Sequence, residues 1–249
     1  MSLQIETRGR VLVVTLDRPQ KRNALNPATN EALRDAFRDF AANDDLWVAV
    51  LTGKGPDFCA GADLGADGRE HSDARPGGIT RDFFCNKPII AALQGHVLGG
   101  GLELALCADL RVADATTRLG APEVRWGLMQ GAGATQRLPR AIPLSVALEM
   151  LLTGDPIAAE RAERLGLVNR VVPEGEAYDG ALELAERVVE RAPLGVRRAK
   201  EAAYRGMDQT LEQGLRTEEL LSRLLAGTAD LEEGAKAFLE RRQPQWKAR

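Results

Sequence analysis

The sequence predicts an α/β fold, in which segments typical of strands and helices alternate before a purely helical part. Three continuous apolar runs, at 46–53, 88–95 and 109–114, have the pattern expected of strands that are covered on both faces. After about residue 190, the segments EAAYRG, LEQGLRTEELLSRLLAG and LEEGAKAFLERR predict successive helices without strands. With 249 residues, the chain can form one large domain or one domain with an appendage.

The first elements are predicted to be a β-hairpin and a helix. The β-rich runs LQIET and VLVVTL lie on either side of the turn Arg8-Gly9-Arg10. Asn26 can cap the helix that follows, and Pro27 suits its first turn. The apolar face of this helix consists of Leu33, Phe37, Phe40 and Ala41. The polar segment 65–80 predicts a long loop, and LVNRVV at 167–172 predicts the last strand.

The composition argues against several classes of protein. The formal net charge of −3 gives no reason to expect the concentrated basic surface that nucleic acid requires. No apolar run reaches the ~20 residues of a membrane span. The N-terminus lacks the basic start, apolar stretch and cleavage site of a signal peptide, so we expect a cytoplasmic protein.

Cysteine and histidine are scarce. Cys59, Cys85 and Cys107 have no CxxC spacing, which argues against a disulfide framework and a structural zinc site and favours buried free thiols. His71 and His96 are the only histidines, and we interpret both as structural. The chain has no Walker A motif, and GAGATQ at 131–136 lacks the third glycine of a dinucleotide fingerprint. We therefore expect neither a metal site nor a nucleotide cofactor bound by those two motifs.

Two glycine-rich turns are candidates for an oxyanion hole. In GHVLGGGLELALCADL, at 95–110, a helix that begins near Gly99 or Gly100 would leave its first N–H groups unpaired within the helix. FCAGADL, at 58–64, could present a second backbone donor at Ala62. Two such N–H groups on one carbonyl oxygen would each contribute about 2.7–4 kcal/mol to transition-state stabilisation. A tight turn or close helix packing is the structural alternative for each stretch.

Two glutamates near these turns are candidates for proton transfer. Glu103 lies among apolar residues, so its carboxylate is expected to be partly buried, although an acid in a first turn can also simply complement the helix dipole. Glu123 follows Pro122, where it could equally be an ordinary helix N-terminus. Two carboxylates beside an oxyanion hole fit chemistry at the carbons α and β to a polarised carbonyl.

Four motifs, taken in order and spacing, resemble the enoyl-CoA hydratase (crotonase) family: FCAGADL, GHVLGGGLELALCADLRVA, LGAPEVRWGLMQGAGATQRLPR and LLTGDPIAAERAERLGLVNRVVP. The resemblance extends from about residue 3 to the closing AFLERRQPQW. It implies a crotonase-like ββα spiral core that binds acyl-CoA and performs catalysis, at residues 1–190. It also implies a C-terminal helical trimerisation region at 191–249, and homotrimers that usually pair into hexamers.

The resemblance also implies a role for each matching residue. The N–H groups of Ala62 and Gly100 would hold the thioester oxygen, Glu103 and Glu123 match the two hydratase glutamates, and Gly131 matches a backbone donor that positions water. No cofactor is implied, because coenzyme A is part of the acyl-CoA substrate. The coenzyme A part would contact Lys21, Arg22, Ala24, Ala60, Asp63 and Leu64, with Arg241 reaching a neighbouring subunit's ligand.

The predicted activity is hydration of a trans-2-enoyl-CoA to a 3-hydroxyacyl-CoA. The alternatives are 3,2-enoyl-CoA isomerisation, dehydration of a specialised acyl-CoA, thioester hydrolysis, or a non-catalytic acyl-CoA-binding or RNA-binding role. Two departures from the family bear on specificity: the loop after Asp63 is shorter than in common short-chain hydratases, and Gln130 replaces a frequent proline. Trp126, beside that region, could line the acyl pocket or belong to the core, and we interpret it as core.

Overall fold

The structure of the chain is a computed structural model, and it describes residues 2–65 and 77–249. A six-stranded sheet with the order β1-β2-β3-β4-β6-β9 forms its centre. Its strands are β1 (Leu3–Arg8), β2 (Val11–Leu16), β3 (Val48–Gly53), β4 (Ile89–Leu93), β6 (Leu110–Asp114) and β9 (Arg170–Val172). Strands β1 and β2 form the predicted hairpin and are antiparallel, whereas every other neighbouring pair is parallel.

Side chains alternate between the two faces of this sheet, and each face is covered. On one face, Val13, Val50 and Val112 pack against an alanine stripe on helix α6 (Ala177–Val189). On the other face, Val14 and Leu51 belong to the larger core cluster, which also contains residues of helix α1 (Pro27–Ala42). Because both faces are buried, the central strands are continuously apolar, as the sequence pattern predicts.

The N-terminal half of the chain confirms the predicted capping of the first helix. The side chain of Asn26 accepts the backbone N–H of Thr29 at 2.9 Å, and Pro27 is the first residue of α1. Leu33, Phe37 and Phe40 are buried on the inner face of the helix. The segment predicted as a loop is described only at residue 65 and from residue 77 onward, so most of that prediction lies outside the described residues.

A second, three-stranded sheet positions the candidate site. It comprises β5 (His96–Leu98), β7 (Arg118–Gly120) and β8 (Ile157–Ala158), with β5 and β7 parallel and β7 and β8 antiparallel. Strand β5 leads into the glycines at 99–101, and β7 leads into the segment of Glu123. The sequence analysis did not predict these strands, because two or three residues are too few to show a periodic pattern.

The remaining α-helices lie mostly in the second half of the described chain. They are α2 (Gly100–Ala105), α3 (Ala134–Ala141), α4 (Leu144–Thr153), α5 (Ala159–Arg164), α7 (Pro193–Gly206), α8 (Leu211–Arg223) and α9 (Ala229–Glu240). Helices α7, α8 and α9 follow one another without an intervening strand, as predicted. The buried carboxylate of Asp230 in α9 accepts the N–H groups of Lys247 and Ala248, and the indole of Trp246 donates to the carbonyl of Glu190. These bonds tie the last residues back onto α6 and α9.

Candidate active site

The three consecutive glycines form the junction between β5 and α2. Gly99 is the N-cap residue of α2, has a φ of 53° and donates its N–H to the carbonyl of Gly120 at 2.9 Å. A positive φ of this kind favours glycine, because a Cβ would strain the backbone. Helix α2 therefore begins at Gly100, as predicted, and its N-terminal N–H groups face the segment that precedes it.

The turn containing Ala62 lies directly against this junction. The N–H of Leu25 donates to Gly61, and the N–H of Asp63 donates to Leu25, so the turn forms a parallel bridge with the residues before α1. A Cβ built on Gly100 would lie 3.7 Å from the backbone nitrogen of Ala62. Among the described residues, neither Ala62 nor Gly100 has an acceptor for its N–H. The structure thus brings together the two donors that the sequence suggests.

An ion pair fixes the Ala62 turn from its outer side. The guanidinium of Arg18 contacts the carboxylate of Asp63 at 2.7 Å and also donates to the carbonyl of Ala24. The two side chains are only 17% and 12% exposed. Arg18 lowers the pKa of Asp63 by donating this hydrogen bond to its charged form. The sequence analysis missed Arg18, whose only signal is a charged residue that follows a buried strand.

Glu103 is buried, and two backbone donors hold its carboxylate. Its Oε1 accepts the N–H of Ala132 at 2.7 Å and the N–H of Ala134 at 3.0 Å. Ala134 is the first residue of α3, so the carboxylate lies at the positive end of that helix. This arrangement satisfies a buried acid without a cation, which the sequence could not show because the donors lie about thirty residues away.

Glu123 lies on the short 3-10 helix Pro122–Trp126 and faces the same junction. A Cβ on Gly99 would lie 3.2 Å from Oε1 of Glu123, whereas Oε2 is buried without a hydrogen-bond partner in the described residues. Burial raises the pKa of Glu123, and the nearby Glu103 adds to this shift. The structure therefore places the Glu123 carboxyl beside Gly99 and within electrostatic reach of Glu103.

The segment at 130–134 joins the two glutamates. Gly131 lies beside Ala132, the donor to Glu103, and its carbonyl accepts a hydrogen bond from the guanidinium of Arg81 at 2.7 Å. Among the described residues, the N–H of Gly131 has no acceptor, so this donor remains available as the sequence analysis requires.

The family model described as "Enoyl-CoA hydratase/isomerase" matches residues 6–249. The chain belongs to this family. The 2,3-dehydroadipyl-CoA hydratase of Escherichia coli K12 is 40% identical over 252 residues, covering 99% of both chains. The (E)-benzylidenesuccinyl-CoA hydratase of Thauera aromatica is 41% identical over 256 residues, with the same coverage.

Solved structures confirm the enoyl-CoA hydratase/isomerase fold, which is the predicted crotonase fold. The enoyl-CoA hydratase EchA1 of Mycobacterium marinum has a TM-score of 0.96 at 39% identity, over 100% of this chain and 99% of that one. The enoyl-CoA hydratase of Mycobacterium tuberculosis H37Rv has the same TM-score at 40% identity and the same coverage. The resemblance inferred from four motifs therefore holds over the whole chain.

The residues that the resemblance assigns to coenzyme A lie mostly around the Ala62 turn. Ala60 donates its N–H to the carbonyl of Arg22 at 3.0 Å, and Ala24 donates to Lys21, so these backbones lie side by side. Leu64, next to Asp63, is exposed. Arg241 lies at the end of α9, and no recorded contact among the described residues joins it to this turn. Its predicted role in a neighbouring subunit stays a prediction.

The residues interpreted as structural have mixed outcomes. Nδ1 of His96 lies 2.6 Å from Oδ1 of Asp57, which supports a structural role, whereas His71 lies outside the described residues. All three cysteines are free: Cys59 and Cys85 are buried, Cys107 is partly buried, and burial raises the pKa of Cys59 to about 12.

The interpretation of Trp126 as core is wrong, because its side chain is 71% exposed. The 3-10 helix has no buried residue, and every residue from 124 to 129 is exposed, so Trp126 lies in a segment at the surface of the chain.

Residues 2–65 and 77–249 contain no cluster of His, Cys, Asp and Glu that could hold a metal ion. None of the helices in the same residues is long and apolar enough to cross a membrane.

Proposed function

We propose that the protein is an enoyl-CoA hydratase, a lyase that adds water across the 2,3 double bond of a trans-2-enoyl-CoA to give a 3-hydroxyacyl-CoA. One observation carries this proposal. The Glu123 carboxyl lies against Gly99, beside the free N–H groups of Ala62 and Gly100, and Glu103 is close enough for its charge to raise the pKa of Glu123. Family relatives named as hydratases give it further support.

The two N–H groups act on the thioester oxygen. Addition of water at Cβ moves negative charge onto that oxygen, and donors at Ala62 and Gly100 stabilise this charge more than they stabilise the neutral carbonyl. The coenzyme A part extends along Lys21, Arg22, Ala24 and Ala60, past the turn at Asp63 and Leu64. No separate cofactor takes part, since coenzyme A is carried by the substrate.

The two glutamates divide the proton transfers. Glu103, whose carboxyl is held by two N–H donors, directs a water molecule at Cβ, with the N–H of Gly131 as a further donor. Glu123, whose pKa is raised by burial, supplies the proton to Cα. The hydroxyl of the water bonds to Cβ, and the proton that the water loses passes to the carboxyl pair. The pair gives one proton to Cα and gains one from the water, so it ends the cycle with as many protons as it had at the start.

We propose that the chain assembles into homotrimers, singly or paired into hexamers, through the C-terminal helical region at 191–249, with residues 1–190 as the catalytic core. Helices α8 and α9 support this proposal, because they carry large apolar side chains that are more than half exposed in the single chain. These side chains are Leu211, Leu215, Leu220, Leu231, Phe238 and Leu239, with Leu224 between the helices. We also place the enzyme in the cytoplasm, in fatty acid β-oxidation.

A panel of trans-2-enoyl-CoA thioesters tests the proposed reaction. It should include straight chains from four carbons upward, branched chains and 2,3-dehydroadipyl-CoA. The last compound is included because one relative is named 2,3-dehydroadipyl-CoA hydratase. We expect loss of the conjugated thioester absorbance and a 3-hydroxyacyl-CoA product by mass spectrometry. Migration of the double bond to the 3,4 position, or release of free coenzyme A without hydration, would instead assign isomerase or hydrolase activity.

A further inference from the structure

Gln130 is a buried polar residue to which the proposed mechanism gives no role. The residue is only 4% exposed. Nε2 of its side chain donates to the carbonyl of Ala121 at 3.0 Å and to the carbonyl of Leu151 at 3.3 Å. Ala121 is the N-cap residue of the 3-10 helix that carries Glu123, and Leu151 lies in α4. One amide therefore ties the start of that short helix to a longer and more rigid one.

The backbone of Gln130 leads directly to the second glutamate. Gly131 follows it, and the N–H of the next residue, Ala132, donates to Glu103 at 2.7 Å. Gln130 thus lies two residues from a donor to Glu103, and its side chain binds a carbonyl two residues before Glu123.

We propose that Gln130 is a positioning residue that fixes the Glu123 carboxyl against Gly99 and aligns it with Glu103. The inference rests on the proposed hydratase function and deepens it. A five-residue 3-10 helix has few hydrogen bonds of its own, so a tertiary anchor at its first residue determines where its side chains lie. Water addition requires both carboxyl groups to reach neighbouring carbons at once, and small displacements are costly for such reactions.

The electrostatics of Glu123 agree with this assignment. Burial and the charge of Glu103, in α2, raise the pKa of Glu123, whereas the backbone N–H of Glu123 and the nearby amide of Gln130, which donates to two carbonyls and not to this carboxyl, favour its charged form. On the same 3-10 helix, the guanidinium of Arg125 is bound by Asp155 and is not among the groups that shift this pKa. Removing the Gln130 amide should therefore raise the pKa of Glu123 further.

The main test compares Gln130→Met with Gln136→Met. Methionine keeps the length of the side chain and removes the amide, and Gln136 is an exposed glutamine on α3 that serves as the matched control. We expect Gln130→Met to lower kcat about 10- to 100-fold with a smaller change in KM. We also expect the alkaline limb of the pH profile of kcat/KM to move to higher pH, since that limb reports protonated Glu123. The control should keep both wild-type values.

A merely structural role would lower the amount of folded enzyme and leave the alkaline limb in place, and that result overturns the inference. Gln130→Pro provides a second variant if Gln130→Met does not fold. The N–H of Gln130 has no acceptor among the described residues, so proline removes the amide without breaking a backbone hydrogen bond. It should move the limb in the same direction as methionine.

A carbon-13 titration of the Glu123 carboxyl separates this inference from the proposed function. The midpoint should be higher in Gln130→Met than in the wild type, whether or not any enoyl-CoA is hydrated. Wild-type protein that hydrates no substrate refutes the proposed function only. An active wild type in which the titration of Glu123 is unaffected by Gln130→Met refutes the positioning role only.

Discussion

Gly101 packs so closely against Cys59 that a Cβ on the glycine would overlap the Cys59 carbonyl oxygen. Gly99 needs its positive φ, so both glycines are required by the fold. Gly100 differs, because a Cβ there would make only ordinary contacts, of 3.6 Å with Leu25 and 3.7 Å with Ala62. A bare backbone at Gly100 is therefore best explained by the close approach of a ligand.

This contrast gives a matched pair of substitutions. Gly100→Ala should fold with nearly wild-type stability but lose at least tenfold in kcat/KM, since a methyl group would obstruct the thioester oxygen. Gly101→Ala should lower the melting temperature strongly or prevent folding, because the backbone of Cys59 cannot move aside. Calorimetry and steady-state kinetics separate the two effects. Equal activity of Gly100→Ala and wild type would argue against the oxyanion hole.

Each glutamate should be essential for turnover. Glu103→Gln and Glu123→Gln keep the shape of the side chain and remove its ability to transfer a proton, so each should reduce kcat about 10²- to 10⁴-fold. Circular dichroism should show an unchanged fold. An exposed glutamate on α6, Glu186, serves as the control in Glu186→Gln. Robust hydration by either active-site variant would remove the role assigned to that residue.

The raised pKa of Glu123 should make the protein less stable as pH rises. Its folded-state pKa lies above the unfolded value, so the stabilisation from its protonated form is complete below the unfolded pKa and is lost as pH increases through the folded pKa. Glu123→Gln cannot lose that proton. The melting temperature of the variant should therefore rise relative to wild type between pH 4 and pH 8. A constant difference across this range would contradict the prediction.

The ion pair beside Ala62 should affect both stability and substrate affinity. Arg18→Met leaves the carboxylate of Asp63 mostly enclosed and without its cation, and should lower the free energy of unfolding by about 1–3 kcal/mol. The loosened Ala62 turn should also raise KM. Arg8→Met breaks an exposed pair with Glu6 and should change neither quantity measurably. Chemical denaturation and initial-rate kinetics give the two readouts.

The apolar face of α8 tests the proposed assembly. Leu220 and Leu224 lie one helical turn apart and are both exposed in the single chain. Replacing both with glutamate should convert the oligomer into monomers in light scattering after size exclusion. Wild-type protein should have three or six times the mass of the chain. A wild-type monomer would refute this assembly.

The central sheet and the cap of α1 could be predicted because the sequence patterns that indicate them are local. The alternation at 3–16 and the apolar runs at 46–53 and 88–95 identify strands directly, and Asn26-Pro27 identifies the start of α1. Strands β5, β7 and β8 are fixed by pairing between distant segments rather than by a pattern within them. Their position was therefore available only from the folded chain.

In the candidate site, too, local features could be predicted from the sequence and contacts between distant segments could not. The burial of Glu103 could be predicted because it is a lone acid in an apolar helix. The N–H groups of Ala132 and Ala134 that bind its carboxyl could not, because only the packing of α3 against α2 brings them there. The error at Trp126 has a related cause. Aromatic residues are usually buried, whereas the short helix that carries Trp126 has no buried residue and lies at the surface, which only the folded chain shows.

The outward position of Trp126 gives the protein an intrinsic fluorescence probe. Trp47 and Trp246 belong to the cluster that packs against α6, whereas the neighbours of Glu103, Leu102 and Leu104, belong to the other core cluster. Trp126 is three residues from Glu123 and open to solvent. A change in its emission on mixing with thioesters would measure affinity directly, even for compounds that undergo no reaction.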